Sequence, residues 1–310
     1  MPQIEHRELI ANGIQFHVAI SGNESGPALL CLHGFPEGWM SWKPLMERFP
    51  EARIYAPTLR GYPGSEAPSD GYDVFTLTDD VKALIEALNL DKPILIAHDW
   101  GGELAWLFAH RYGNMIQHFV AINAPHLKTL ARAVITMDDF QALRIPWLAT
   151  FQIPELPERI IANPIGRQLL RLSIVLREGR PGSMDRALVD DMVNRFKTAN
   201  SIKPPIEYYR DVVATHLNPI KLKRLLKAYK QNIPVPITLI WGMKDRALTA
   251  KIALKSERDA GREIEWRPLE NAGHFVSLDS PDQLTEEIRR ITNLYSSEII
   301  ADQQHQAHSR

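Results

Sequence analysis

Residues 93–113 read PILIAHDWGGELAWLFAHRYG. Ile94 to Ala97 form a short apolar, β-branched run, the pattern of a strand buried on both faces. From Gly101 onward the spacing is helical. Strand and helix meet at Asp99 with no loop between them. Gly101 and Gly102, directly after the turn, let the helix pack close to the strand. An acidic residue there lies at a helix N-terminus, whose dipole favours its charged form. Taken alone, it reads as a simple cap.

The surrounding chain repeats this alternation. GIQFHVAISG (13–22), PALLCLHG (27–34) and RIYAPT (53–58) read as strands, FTLTDDVKALIEALNL (75–90) as a helix and IQHFVAINAP (116–125) as a strand. Strands alternating with helices predict an α/β fold with a mostly parallel sheet covered on both faces. The pattern stops near Pro125. Residues 127–230 contain no strand pattern and read as helices separated by prolines. VPITLIWG (235–242), TAKIALKSERDAG (249–261), EIEWRPLE (263–270) and PDQLTEEIRRITNLYSS (281–297) then resume the alternation. The expected organisation is a core of 1–126 and 231–298, an inserted helical cap of 127–230, and a disordered polar tail of 299–310.

Composition narrows the function. The 310 residues are 45% hydrophobic, with a formal net charge of −1 and no long basic run. Nucleic acid and anionic membrane surfaces are therefore not expected partners. No stretch approaches the roughly 20 apolar residues of a membrane span. The start lacks a leader-like charged-then-apolar layout, so the cytoplasm is the expected compartment. The single cysteine, Cys31, lies in an apolar strand and reads as a structural thiol. His33, His98 and His126 lack the spacing of a metal site, so neither a metal nor another cofactor is expected. The oligomeric state stays open.

Polar residues collect at the carboxyl ends of the predicted strands, where open α/β sheets bind ligands: His33-Gly34-Phe35-Pro36, Asp99, Asp245 in WGMKD and His274 in NAGHF. Together HGFPEGWMSW (33–42), LRGYPGSE (59–66), HDWGG (98–102), the Asp245 turn and AGHFV (272–276) resemble the α/β-hydrolase superfamily. The resemblance is to its aspartate-nucleophile branch of epoxide hydrolases and haloalkane or haloacetate dehalogenases. It spans most of the core in order. One departure is LRGYPG, where Thr58 and Pro63 replace an Asp and a Gly. That loop is structural in the family.

The resemblance gives Asp99 a chemical reason. A serine attacking a saturated carbon would form an inert ether. A carboxylate forms an ester, which water can cleave at the Asp carbonyl. His274 is then free to activate that water, with Asp245 holding its tautomer and stabilising the imidazolium. The backbone N–H groups of Phe35 and Trp100 are the expected oxyanion donors. The Phe35–Pro36 peptide is expected to be cis, and His33 to organise the loop near the oxyanion hole. Arg60 reads as a structural ion pair. Asn123 serves either the acid site or a turn.

The cap should set the leaving group. Tyr209 in PPIEYYRDVV resembles the tyrosine that protonates an opening epoxide, with Tyr208 its neighbour on another face. Epoxide hydrolases carry a second tyrosine five residues before the Gln of Phe-Gln-x-Pro. Here that place holds Trp147, in WLATFQIP (147–154), where dehalogenases use an indole to bind halide. Trp100 and Glu103 stand where haloacetate dehalogenases place arginines, which argues against an acidic substrate. The candidate site residues are therefore Asp99, His274, Asp245 and Tyr209 for catalysis, Phe35 and Trp100 for the oxyanion, and Trp147, Trp100, His33 and Tyr208 for the substrate or leaving group. The expected activity is hydrolysis of a small neutral epoxide to a vicinal diol, with water as co-substrate. The alternative is carbon–halogen cleavage of a neutral substrate. A non-catalytic ligand-binding relative and a plain esterase are weaker readings, against the intact triad and the missing serine respectively.

Overall fold

Eight strands form one sheet in the order β1-β2-β4-β3-β5-β6-β7-β8, in a computed structural model that describes residues 3–229 and 232–308. The strands are β1 (Glu5–Ala11), β2 (Ile14–Gly22), β3 (Ala28–Leu32), β4 (Arg53–Pro57), β5 (Ile94–His98), β6 (His118–Ile122), β7 (Ile237–Gly242) and β8 (Glu265–Leu269). All neighbours from β4 through β8 pair in parallel, and β2 runs antiparallel to both β1 and β4. The expected mostly parallel α/β sheet is the one observed.

Strand β1 escaped the reading of the sequence. It is an edge strand carrying Glu5, His6, Arg7 and Glu8, mostly exposed, and charge of this kind blunts an edge against further pairing. The missed signal was Asn12-Gly13, both at positive φ (46° and 76°), a two-residue turn that makes β1 and β2 a hairpin.

Side-chain alternation along the central strands builds two cores. Leu95 and Ala97 face one side, with α2 (Val74–Ala87) and α3 (Asp99–Tyr112). Ile94 and Ile96 face the other, where Leu45 and Met46 of α1 (Lys43–Arg48) pack with Leu284, Ile288 and Ile291 of α15 (Pro281–His308). Because both faces are covered, β5, β6 and β7 are buried throughout. Cys31 lies in that second core, where burial pushes its thiol far above the usual range, and it is structural. Arg60 and Asp80 form a two-pronged buried pair (2.7 Å for each contact), as expected of Arg60. Asp80→Ala would strand the guanidinium, so unfolding in urea is expected to show a loss of about 3–5 kcal/mol.

Between β6 and β7 the chain is helical: α4 (Leu127–Ile135), α5 (Gln141–Arg144), α6 (Trp147–Thr150), α7 (Leu156–Ala162), α8 (Pro164–Val175), α9 (Arg186–Asn194), α10 (Ala199–Leu217) and α11 (Pro219–Ala228). Two expected helices begin or break elsewhere. Asn163 caps α8 and Pro164 takes its first position, which splits LPERIIANPIGRQLLRLSIVL in two. Helix α10 starts at Ala199 rather than Pro204, because Thr198 and Ser201 form a capping box upstream of the proline pair. After β7 come α12 (Ala250–Ala253) and α13 (Ser256–Ala260), and after β8 come α14 (Val276–Asp279) and α15.

The backbone of α15 is described as helical through His308. SSEIIADQQHQAH contains no glycine or proline and is rich in helix formers, so nothing in it stops a helix already nucleated on the core. Among the described residues no helix is long and apolar enough to cross a membrane.

Candidate active site

Asp99 sits at the β5–α3 junction with φ +47°, a conformation that costs a non-glycine residue energy. The surrounding packing holds it there. A Cβ on Gly34 would lie 2.4 Å from the Asp99 Cβ, and one on Gly102 would lie 2.2 Å from the Ala124 Cβ, so both positions must be bare. The Asp99 side chain keeps 20% of its surface open, which leaves the carboxylate reachable.

The loops after β3, β6, β7 and β8 converge on it. The Phe35 N–H donates to Asp99 Oδ1 at 2.8 Å, and the Phe35–Pro36 peptide is cis, as expected. The Trp100 N–H belongs to the first turn of α3, where backbone donors have no intrahelical acceptor. His274 Nε2 lies 3.5 Å from Asp99 Oδ2, and His274 Nδ1 lies 2.7 Å from Asp245 Oδ2. The Ala247 and Leu248 N–H groups donate to Asp245 Oδ1 (2.7 and 3.0 Å). Asn123 fits both of its readings: at φ +42° it takes the turn after β6, its amide donates to Asp245 Oδ2 at 2.7 Å and its oxygen accepts from the Gly242 N–H at 2.8 Å.

Electrostatics follow from this geometry. Burial works against the charge of Asp99 and Asp245, but His274 and the N–H and amide donors outweigh it, and both carboxyls are held below their usual range. Burial also works against a charged His274. The two carboxylates overcome it and raise the ring to about 10. The unliganded site thus holds an imidazolium between two carboxylates. A value raised from 6.5 means that the stabilisation is fully present below pH 6.5 and is lost as pH rises through about 10. Urea unfolding from pH 6 to 10.5 should show a falling midpoint, with a shallower fall in Asp245→Asn.

A second buried pair supports the first. Glu37 Oε2 accepts from the Gly34 N–H at 2.6 Å and from His98 Nδ1 at 2.7 Å, while His98 Nε2 donates to the His274 carbonyl at 2.9 Å. The pair ties the loop after β3, the end of β5 and the His274 loop together. Asp279 accepts from the Gly179 N–H at 2.8 Å and also from the Gly273 N–H, which anchors the same loop. Neither Glu37 nor Asp279 was singled out in the sequence, although HGFPE and HDWG contain the first pair.

The cavity above Asp99 has two lobes, of about 310 Å³ and about 230 Å³, which share Asp99, Trp147, Tyr209, Ala247 and His274. Tyr209 of α10 packs edge-on against Trp100, Phe151 and Phe35, with centroids 4.8, 5.0 and 5.6 Å away. Burial and the Asp99 charge push its phenol well up, while the neighbouring Trp100, Trp147 and Arg177 draw it back. Tyr209 and Trp147 therefore meet over Asp99. Arg177, which no motif marked, lines the smaller lobe with its guanidinium 4.7 Å from the Trp147 ring centre.

Two candidate residues do not reach the cavity. Tyr208 is fully buried and donates to the Arg60 carbonyl at 2.8 Å, because neighbouring helix positions point about 100° apart. His33 is also fully buried. Its Nδ1 meets the Gly34 carbonyl at 2.9 Å and its Nε2 accepts from the Leu59 N–H at 2.9 Å, so it organises the loop and is no substrate ligand. Among the described residues no group of three or more His, Cys, Asp or Glu side chains is arranged to hold a metal ion.

The chain has relatives among known proteins. The chain is 32% identical over 290 residues to the AB hydrolase superfamily protein YfhM of Bacillus subtilis, covering 87% of this chain and 91% of that one. It is 30% identical over 287 residues to epoxide hydrolase 3 of Xenopus tropicalis, covering 90% and 74%. Among solved structures, a laboratory-evolved variant of potato epoxide hydrolase StEH1 superposes with a TM-score of 0.77 at 25% identity, covering 94% of this chain and 99% of that one. Cfl2 from Burkholderia cenocepacia shares the fold with a TM-score of 0.82 at 24% identity, covering 94% and 100%. Residues 27–281 match the α/β hydrolase fold family, and the chain belongs to that family.

Proposed function

We propose that this protein is an epoxide hydrolase that converts small neutral epoxides to vicinal diols through an ester on Asp99. The observation that carries the reading is the buried Tyr209 phenol in the wall of the cavity that it shares with Asp99, Trp147 and His274. A phenol O–H can donate to a substrate oxygen and give up its proton there. Relatives named as epoxide hydrolases support the same reading.

In the first step an Asp99 oxygen attacks an epoxide carbon, the ring C–O bond breaks, and the alkoxide takes the Tyr209 proton. The His274 imidazolium returns a proton to the phenolate and becomes neutral. Ester formation has by then removed the Asp99 charge that helped to hold that proton. Neutral His274 deprotonates a water, which attacks the Asp99 carboxyl carbon, and the Phe35 and Trp100 N–H groups receive the oxyanion. Collapse expels the diol oxygen, which takes the proton of the new carboxylic acid. Asp99 is restored as carboxylate and His274 as imidazolium. Residues 127–230 act as the cap that brings Tyr209 and Trp147 to the core and excludes water.

One turnover in heavy-oxygen water, with enzyme in excess, tests this scheme. Label should enter the Asp99 carboxyl; label found only in the diol would refute the ester. The second reading, carbon–halogen cleavage, draws on two indoles of the same cavity, since Trp147 and Trp100 can donate to a departing halide. Neutral epoxides screened beside neutral haloalkanes, with halide release read separately, decide between the two.

A further inference from the structure

Glu103 lies on α3 one turn beyond Asp99, so the two side chains share a helix face about 6 Å apart along the axis. It lines the larger lobe of the cavity beside Leu127, Leu130, Val134 and Val212, in a mostly apolar wall that also carries His216. Only 7% of the residue is exposed, and its buried Oε2 has no hydrogen-bond partner. Burial first, and the nearby Asp99 charge second, govern its protonation, and no cation contributes. Oε2 itself is turned away from the cavity surface, and it is the rest of the Glu103 carboxyl group that the lobe offers to a ligand. The reaction scheme above gives Glu103 no task.

We propose that Glu103 determines specificity in the larger lobe by hydrogen-bonding an ether or hydroxyl oxygen on the substrate chain that extends from the carbon Asp99 attacks. The inference rests on the epoxide-opening reading for its substrate class, but not for the binding itself. Burial and Asp99 both keep the Glu103 carboxyl protonated, well above its usual range. In that form it donates one hydrogen bond and still accepts. An ether oxygen, which can only accept, is its simplest partner. An ammonium group would require the ionised form, which burial and Asp99 oppose.

Two oxiranes of equal length test this, one bearing a methoxypropyl chain and the other a pentyl chain. Their ratio of kcat/KM isolates one oxygen. Glu103→Leu is expected to lower the ether-to-alkyl ratio roughly 5- to 10-fold, the worth of one hydrogen bond, while Glu103→Gln, which keeps a donor, retains most of it. The two corresponding diols, titrated against the fluorescence of Trp100 and Trp147, give the same ratio as dissociation constants without any turnover. If the diol ratio shifts but no epoxide reacts, the specificity role stands and the reaction assigned above falls. If epoxides react with the same ratio in wild type and Glu103→Leu, the Glu103 proposal is overturned and the reaction stands. The wild type alone also decides: a preference for the pentyl chain of about tenfold or more is what an unpaired buried ether would produce, and it would overturn the proposal. So would a preference for an aminopropyl chain over both.

Discussion

Replacing His274 with glutamine is expected to stop turnover while leaving the first chemical step intact. Asp99 needs no base to attack, because a carboxylate is already a nucleophile at neutral pH and the Phe35 N–H still donates to it in the variant. Hydrolysis of the ester does need one, and glutamine cannot take a proton from water. The variant should therefore accumulate an adduct on Asp99, visible by intact mass as an increase equal to the substrate mass. Steady-state turnover should fall by on the order of 10⁴-fold or more, as when a member of a catalytic unit is removed. Asp99→Ala should be equally inactive and show no adduct. An inactive His274→Gln enzyme without adduct, given an epoxide that the wild type consumes, would mean that His274 acts before or during ester formation.

The second large effect concerns the proton donor. Tyr209→Phe keeps the ring and its edge contacts to Trp100, Phe151 and Phe35, and removes only the hydroxyl. An alkoxide is a poor leaving group without a proton, so epoxide opening should fall at least ~10²-fold. Trp147→Phe removes a polar neighbour of that hydroxyl from the cavity wall and keeps an aromatic ring, and a loss of at most roughly 10-fold is expected. Single-turnover rates of ester formation, measured by rapid quench, give both numbers. The opposite order, with Trp147→Phe abolishing halide release and Tyr209→Phe nearly neutral, would replace the epoxide reading by carbon–halogen cleavage.

The sequence by itself determined the alternation that makes the parallel sheet and the junction that places Asp99. It also put Asp245 and His274 at strand ends, and so on one edge of the sheet. These features are local. A β-branched run, a helix period and a turn are each written within a few residues, and the parallel arrangement of strands carries their ends to one place. The boundaries of α8 and α10 and the edge strand β1 were less legible, because caps and a two-residue turn outweighed the hydrophobic pattern there. The tertiary structure alone decided the rest. Adjacent tyrosines on one helix differ only in the direction each points, and packing on Arg60 turned Tyr208 inward while Tyr209 faced Asp99. Glu37 and His98 lie far apart in the chain and became a pair only when β3 and β5 came together. In the sequence Glu103 argued only against an acidic substrate, and its burial in the wall of the larger lobe came from the fold. Hydrogen-bond partners, burial and protonation depend on which distant segments meet, and no local pattern carries that information.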